Sequence, residues 1–359
     1  MTPFRIDIPQ DDLDDLRERL ARTRWTEPLP GDGWQRGVPL ETLRELAGYW
    51  RDGFDWRVQE ARLNAFPQFM TTIDGLPLHF VHVRSGVDGA LPIVLNHGWP
   101  NSFVEFATLI EPLRALGYDL IAPSIPGFGF SGIDARVSVA RVAGLFVRLV
   151  KELGYTRFGV EGGDLGAYLA PEMAIAAPDA CAGVYVIAGL GFPTEADVPE
   201  MTEDERAAFA ALQQQDWMTG VDHHALLRAA PQTFAYGWHD SPIAALAWMT
   251  QKFHEFGSSP LDRDLVLTNL SLYWFTRTFG TSSWPMYSTT ASAWPRGQKA
   301  VPTGVYSGPP GIRRLAERHN TIVHWPADNP AAHHFVAMER PHELAADLDR
   351  FFATVHDPR

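Results

Sequence analysis

Cysteine is nearly absent. The 359-residue chain has one, Cys181, so no internal disulfide can form and a reducing, cytoplasmic setting is expected. Cys181 follows Pro178-Asp179-Ala180 and opens the apolar run Ala182-Gly183-Val184-Tyr185-Val186, which suits a small buried hydrophobe better than a nucleophile. Lysine is scarce too. Only Lys151, Lys252 and Lys299 stand among the 30 basic residues, an arginine bias that reads as GC-rich coding sequence. The formal net charge of −13 leaves no basic footprint and argues against a nucleic-acid partner. No run approaches the ~18 apolar residues needed to cross a bilayer. The stretch from Met1 to Ile8 has neither the basic nor the apolar region of a secretion signal, so no membrane association is expected. Internal repeats and low-complexity tracts are missing as well.

What remains is a normal globular composition, 45% hydrophobic and 20% charged, enough for one large domain with an insertion or two ordinary domains. Leucines three and four apart over residues 11–23, with acids early and arginines late, predict an amphipathic helix. A second helical stretch runs from Pro39 through Leu43, Leu46, Tyr49 and Trp50 to Phe54 and Trp56. Alternating residues on either side of Asp74-Gly75 predict a hairpin. From Pro92 onward short apolar strands alternate with helical segments, the pattern of a mostly parallel sheet covered on both faces. Between residues 196 and 296 the strand signal gives way to helical, tryptophan-rich sequence. This divides the chain into an N-terminal arm with first strands (1–90), a core (91–195 and 297–359) and a helical cap (196–296) above the strand ends, where ligands bind.

Gly162-Gly163-Asp164-Leu165-Gly166 carries the central signal, lying between a strand (Arg157–Val160) and a helix (Ala167–Met173). A nucleophile on so sharp a turn needs small neighbours two positions either side. Aspartate here, rather than serine, suits attack on carbon to give an ester and is of no use against an amide. The alternative is an Asp that merely caps the helix. His97-Gly98-Trp99-Pro100 follows the first strong core strand, and Pro126-Gly127-Phe128-Gly129-Phe130-Ser131 follows the next. Asp222-His223-His224 lacks further ligands at metal-binding spacing, and no metal or cofactor is expected.

Several segments together resemble the microsomal and juvenile-hormone branch of the epoxide hydrolases, within the α/β-hydrolase fold. They are Tyr49-Trp50 through Phe54-Asp55-Trp56-Arg57, the run from His97 to Phe106, the run from Pro126 to Ser131, Gly163-Asp164-Leu165-Gly166, and Asp240-Ser241-Pro242 with Leu246-Ala247-Trp248. The resemblance spans nearly the whole chain and implies a soluble bacterial-type member without the anchor some members carry. It also implies the roles: Asp164 as nucleophile, His334 as the base that activates water (His333 as fallback), and Tyr287 as one of two cap donors to the leaving oxygen. Backbone N–H groups of Trp99 and Leu165 would bind the oxyanion. His97, Pro100, Phe128, Trp238, Trp248 and Trp284 would line the pocket of a bulky apolar epoxide.

Three positions depart from the family. Leu165 replaces a tryptophan, which also disfavours a haloalkane dehalogenase. The second cap tyrosine falls on His223, and the acid that orients the base falls on Gly311. Asp328, Glu195 and Asp197 are the candidate replacements. An epoxide hydrolase giving a vicinal diol is therefore expected. The alternatives are a non-hydrolytic epoxide-opening enzyme of natural-product biosynthesis, in which an internal group replaces water, and a catalytically silent binding protein. A homo-oligomer stays open.

Overall fold

The computed structural model describes residues 1–31, 33–187, 190–214, 222–257, 259–288, 297–306, 312–325 and 334–356. No helix among them is long and apolar enough to cross a membrane. The arm comprises β1 (Thr2–Phe4), α1 (Gln10–Ala21), α2 (Leu40–Asp52), α3 (Trp56–Leu63), β2 (Gln68–Ile73) and β3 (Leu76–Val83). There follow β4 (Pro92–Asn96), a 3₁₀ turn (Phe103–Thr108), α4 (Ile110–Ala115), β5 (Asp119–Pro123), α5 (Val139–Glu152), β6 (Phe158–Gly163), α6 (Gly166–Ala176) and β7 (Cys181–Ile187). Between β7 and β8 (Pro302–Tyr306) the described residues form helices and no strand: α7 (Glu203–Leu212), α8 (His223–Ala229), α9 (Pro231–Asp240), α10 (Pro242–Phe256), α11 (Arg263–Thr276) and α12 (Trp284–Tyr287). The chain continues through α13 (Arg313–Ala316), β9 (Thr321–His324), α14 (Val336–Glu339) and α15 (Pro341–Val355).

The strands make one sheet in the order β1-β2-β3-β5-β4-β6-β7-β8-β9. From β5 to β9 all pairings are parallel, and β1, β2 and β3 add antiparallel at one edge. The hairpin closes where Asp-Gly predicts it. Ile73 pairs with Leu76 around Asp74 and Gly75, both at positive φ, as a two-residue turn requires. The second helical stretch does not run through to Trp56. It breaks at Gly53, over which the Tyr49 ring lies; a Cβ there would meet Tyr49 Cδ2 at 2.5 Å. Asp55 then caps α3 by accepting from the Arg57 and Val58 amides.

Two glycines show how helices cover both faces of the sheet. A Cβ on Gly159 would meet Phe352 of α15 at 2.3 Å, and one on Gly162 would meet the Gly166 carbonyl of α6 at 2.2 Å. Residues an odd number apart on a strand point to opposite faces, so α15 and α6 flank β6 from opposite sides. Gly183 on β7 and Gly304 on β8 extend the bare strip under α15, with Phe351 at 2.8 and 2.7 Å from their ideal Cβ positions.

Candidate active site

β6 ends in the turn that the glycines predict. Asp164 sits at φ +51, a left-handed conformation that costs a non-glycine residue energy and is kept where the surroundings enforce it. Those surroundings are close. A Cβ on Gly166 would lie 2.1 Å from the Asn96 carbonyl oxygen, and one on Gly98 would lie 2.3 Å from Asp164 Cβ. With the Gly162 contact already described, three backbones meet at one point, and α6 begins immediately behind the aspartate. Gly162→Ala is therefore expected to lower stability by about 3 kcal/mol or to prevent folding, because the clash is with backbone and not with a side chain that can swing away. Thermal unfolding checks this; a variant that melts like the parent would rule out the packing described.

The Asp164 carboxylate is held on one side and faced on the other. Its Oδ1 accepts the Trp99 backbone N–H at 2.8 Å, and its Oδ2 lies 3.9 Å from His334 Nε2. Burial lowers the His334 pKa, while the charges of Asp164 and Glu339 and the Trp99 backbone oppose that shift. A neutral imidazole beside a carboxylate can take a proton from water between them. Leu165 is buried and begins α6 directly after the aspartate.

His223 stacks on Trp99, ring centroids 5.1 Å apart and 9° from parallel, and meets Phe256 at 5.4 Å. Phe256 in turn lies 5.0 Å from His334. Asp222 is used as the N-cap of α8, accepting from the Ala225 amide at 2.9 Å. Tyr287 ends α12, which packs against α8, and burial raises its phenol pKa. Trp248 continues the aromatic wall, 6.0 Å from Trp99 and 5.2 Å from Trp238.

Three expected pocket residues lie deeper than a lining. His97, Phe128 and Trp284 are fully buried. His97 Nε2 accepts the Ile125 amide at 3.1 Å, its ring packs on Phe128 at 5.0 Å, and burial holds its pKa down to about 3. Trp284 Nε1–H donates to the Pro126 carbonyl at 2.8 Å. His97 and Trp284 thus commit these nitrogens to the 125–128 turn and brace it from beneath. Pro100 is braced likewise, its carbonyl accepting from Asn269 Nδ2 at 2.8 Å.

Two of the candidate replacement acids are engaged elsewhere. Asp197 accepts from Arg318 at 2.7 Å and from Thr194 at 2.8 and 2.9 Å. Glu195 accepts from Gln213 at 3.0 Å. Neither reaches His334. Asp328, Gly311 and His333 lie outside the described residues.

Several polar groups went unnoticed in the sequence. From α11, Asn269 and Tyr273 hold the 97–102 loop: Ser102 Oγ–H donates to Asn269 Oδ1 at 2.7 Å, and the Tyr273 hydroxyl donates to the Asn101 carbonyl at 2.7 Å. Lys252, fully buried on α10, pairs with Glu255 and lies 5.1 and 5.6 Å from the Trp248 and Phe256 ring centroids. Glu105 and Glu161 are buried near the Asp164 turn. Each is a lone carboxyl in an apolar setting (Phe103-Val104-Glu105-Phe106 and Phe158-Gly159-Val160-Glu161), a signal that could have flagged both.

Residues 1–106 match the family described as epoxide hydrolase N terminus, and residues 91–232 the family described as alpha/beta hydrolase fold. A Stigmatella aurantiaca (strain DW4/3-1) protein named for epoxide hydrolysis is 36% identical over 98% of this chain and 84% of its own. Epoxide hydrolase 1 of Oryctolagus cuniculus is 30% identical over 98% of this chain and 89% of that one. The structure of Aspergillus niger epoxide hydrolase superposes with a TM-score of 0.87 at 31% identity, covering 99% of this chain and 96% of that one.

Proposed function

The chain belongs to the epoxide hydrolase family, with its α/β-hydrolase fold, and we propose on that premise that it opens an epoxide through an ester on Asp164. The observation that carries the reading is the setting of that carboxylate, with Trp99 N–H bonded to one oxygen and His334 facing the other. In the first step the oxygen facing His334 attacks a ring carbon and the carbon–oxygen bond of the ring breaks. Tyr287 and His223, on adjoining helices above the elbow, donate to the departing oxygen. In the second step His334 takes a proton from water, which attacks the ester carbonyl. Trp99 N–H and Leu165 N–H bind the oxyanion, and its collapse returns the carboxylate and releases a vicinal diol.

The helices α7 to α12, within residues 196–296, act as the cap. The aromatic run Trp99, Trp248, Trp238 favours a bulky, flat, apolar substrate. Glu195 and Asp197, tied to Gln213 and Arg318, leave the second step with less support for its base, which favours as second reading an internal nucleophile of the substrate in place of water, attacking the ring carbon as its carbon–oxygen bond breaks and giving up its proton to the opened oxygen.

One turnover in H₂¹⁸O, with enzyme in excess over an aromatic epoxide, distinguishes the outcomes. Through the ester, the first diol takes its new oxygen from Asp164 and is unlabelled, while the label enters the Asp164 carboxyl. Label in the first diol means that water attacked the ring directly, and defeats the proposal. A cyclised product with no label anywhere selects the second reading.

A further inference from the structure

Three carboxyl groups, those of Glu105, Glu161 and Asp164, lie near the loop that starts at Gly98. Adjacent amides of that loop serve two of them: Trp99 N–H binds Asp164, and the Gly98 backbone, with the Asn101 side chain, bonds the Glu105 carboxyl. Behind them Glu161 is fully buried, and neither of its carboxyl oxygens has a hydrogen-bond partner among the described residues. Among those residues Glu105 and Glu161 belong to no ion pair, although both are buried. Three negative charges cannot be sustained in such a place without a cation.

We propose that Glu105 is a positioning residue for the nucleophile, a neutral carboxylic acid that holds the Gly98–Asn101 loop so that the Trp99 N–H points at Asp164. This rests on the reading of Asp164 as nucleophile. Burial first, and then the Asp164 charge, push Glu105 up to about 8 against the bonds from Gly98 and Asn101. Burial and Glu105 raise Glu161 further. Other titratable groups on the elements packed around the Phe103–Thr108 turn do not reverse this. Tyr273 of α11 is itself raised by burial. On α14, Glu339 adds negative charge. His79 of β3, 5.0 Å from Phe103, is held neutral by burial. On α4, Arg114 is exposed and paired with Glu111. At the start of β5, Asp119 accepts from Ser85 and Tyr155. In the neutral state Glu105 can still accept from Gly98 without repelling Asp164. Ionisation adds a second negative charge behind the loop and loosens the nucleophile.

A carboxyl raised from 4.5 to about 8 in the folded state costs stability progressively as pH climbs through that window. Relative to the parent, E105Q should therefore gain several degrees in Tm at pH 8 and little at pH 4.5.

The decisive measurement is the rate at which an epoxide adds mass to Asp164 in a His334→Gln background, followed from pH 6 to 9.5. With Glu105 present, the rate should fall through pH 8. Glu105→Ala should slow it at least tenfold at pH 7, with substrate affinity changed less. Glu105→Gln should recover most of that loss and abolish the alkaline fall. An adduct rate indifferent to Glu105→Ala, or an alkaline fall that persists in Glu105→Gln, overturns the proposal. No adduct at all with Glu105 intact overturns instead the reading of Asp164 on which it rests.

Discussion

Asp164→Asn is expected to abolish diol formation, by at least about 10⁴-fold, a loss of the size seen when a covalent nucleophile is removed from a hydrolase. The amide can accept the Trp99 N–H much as the carboxylate does, so the turn and the helices over it should persist, and the near-unchanged fold makes the loss chemical. Its nitrogen is no nucleophile toward a ring carbon. The left-handed backbone at this position tolerates asparagine as well as it does aspartate, which removes strain as a rival explanation. Two measurements decide it: the steady-state rate, and an intact-protein mass excluding deamidation back to aspartate. Full activity in a verified Asp164→Asn protein would end the ester mechanism.

His334→Gln should separate the two half-reactions. In the proposed mechanism ring opening uses Asp164 and the cap donors, and these are untouched. Hydrolysis of the ester would use the imidazole as base, and loss of a general base costs on the order of 10²–10⁴-fold. Turnover should therefore stall with the substrate's mass added to the protein, the adduct mapping to Asp164. The 3.9 Å separation leaves the imidazole near enough to the ester to act through one water. A variant that loses activity without accumulating adduct would place His334 in ring opening instead. Adduct accumulation in His333→Gln, with His334→Gln fast, would move the base by one residue.

The tight turn at Asp164 was legible because its constraint is local. Gly162 and Gly166 stand two residues either side of Asp164, and the contacts near 2 Å that they relieve follow from the sharpness of the turn alone. The Asp74-Gly75 hairpin and the parallel core were readable for the same reason, since period and turn chemistry are short-range. The break at Gly53 escaped because hydrophobic spacing continues smoothly across it, and only the position of the Tyr49 ring shows why the helix stops. The supports of the site escaped for a different reason. Asn269 and Tyr273 reach Pro100 and Asn101 across 169 and 172 residues of chain, and nothing in a single sequence pairs them. His97, Phe128 and Trp284 were read as lining because aromatic and imidazole side chains near a site look alike in sequence, whether they face a ligand or the layer beneath it.

The strip of glycines under α15 bears on how the protein is made. Phe351 and Phe352 fill a hollow that Gly159, Gly183 and Gly304 leave on three adjacent strands, and it stays unfilled until they arrive. During synthesis β6 and β7 leave the ribosome long before the helix that closes this face, so the nascent chain carries an open apolar trough until that helix emerges. His334 emerges just ahead of that helix. His334 and the closure of the core therefore fall into place together, and a ribosome stalled before α15 should hold a chain that binds chaperones and hydrolyses nothing.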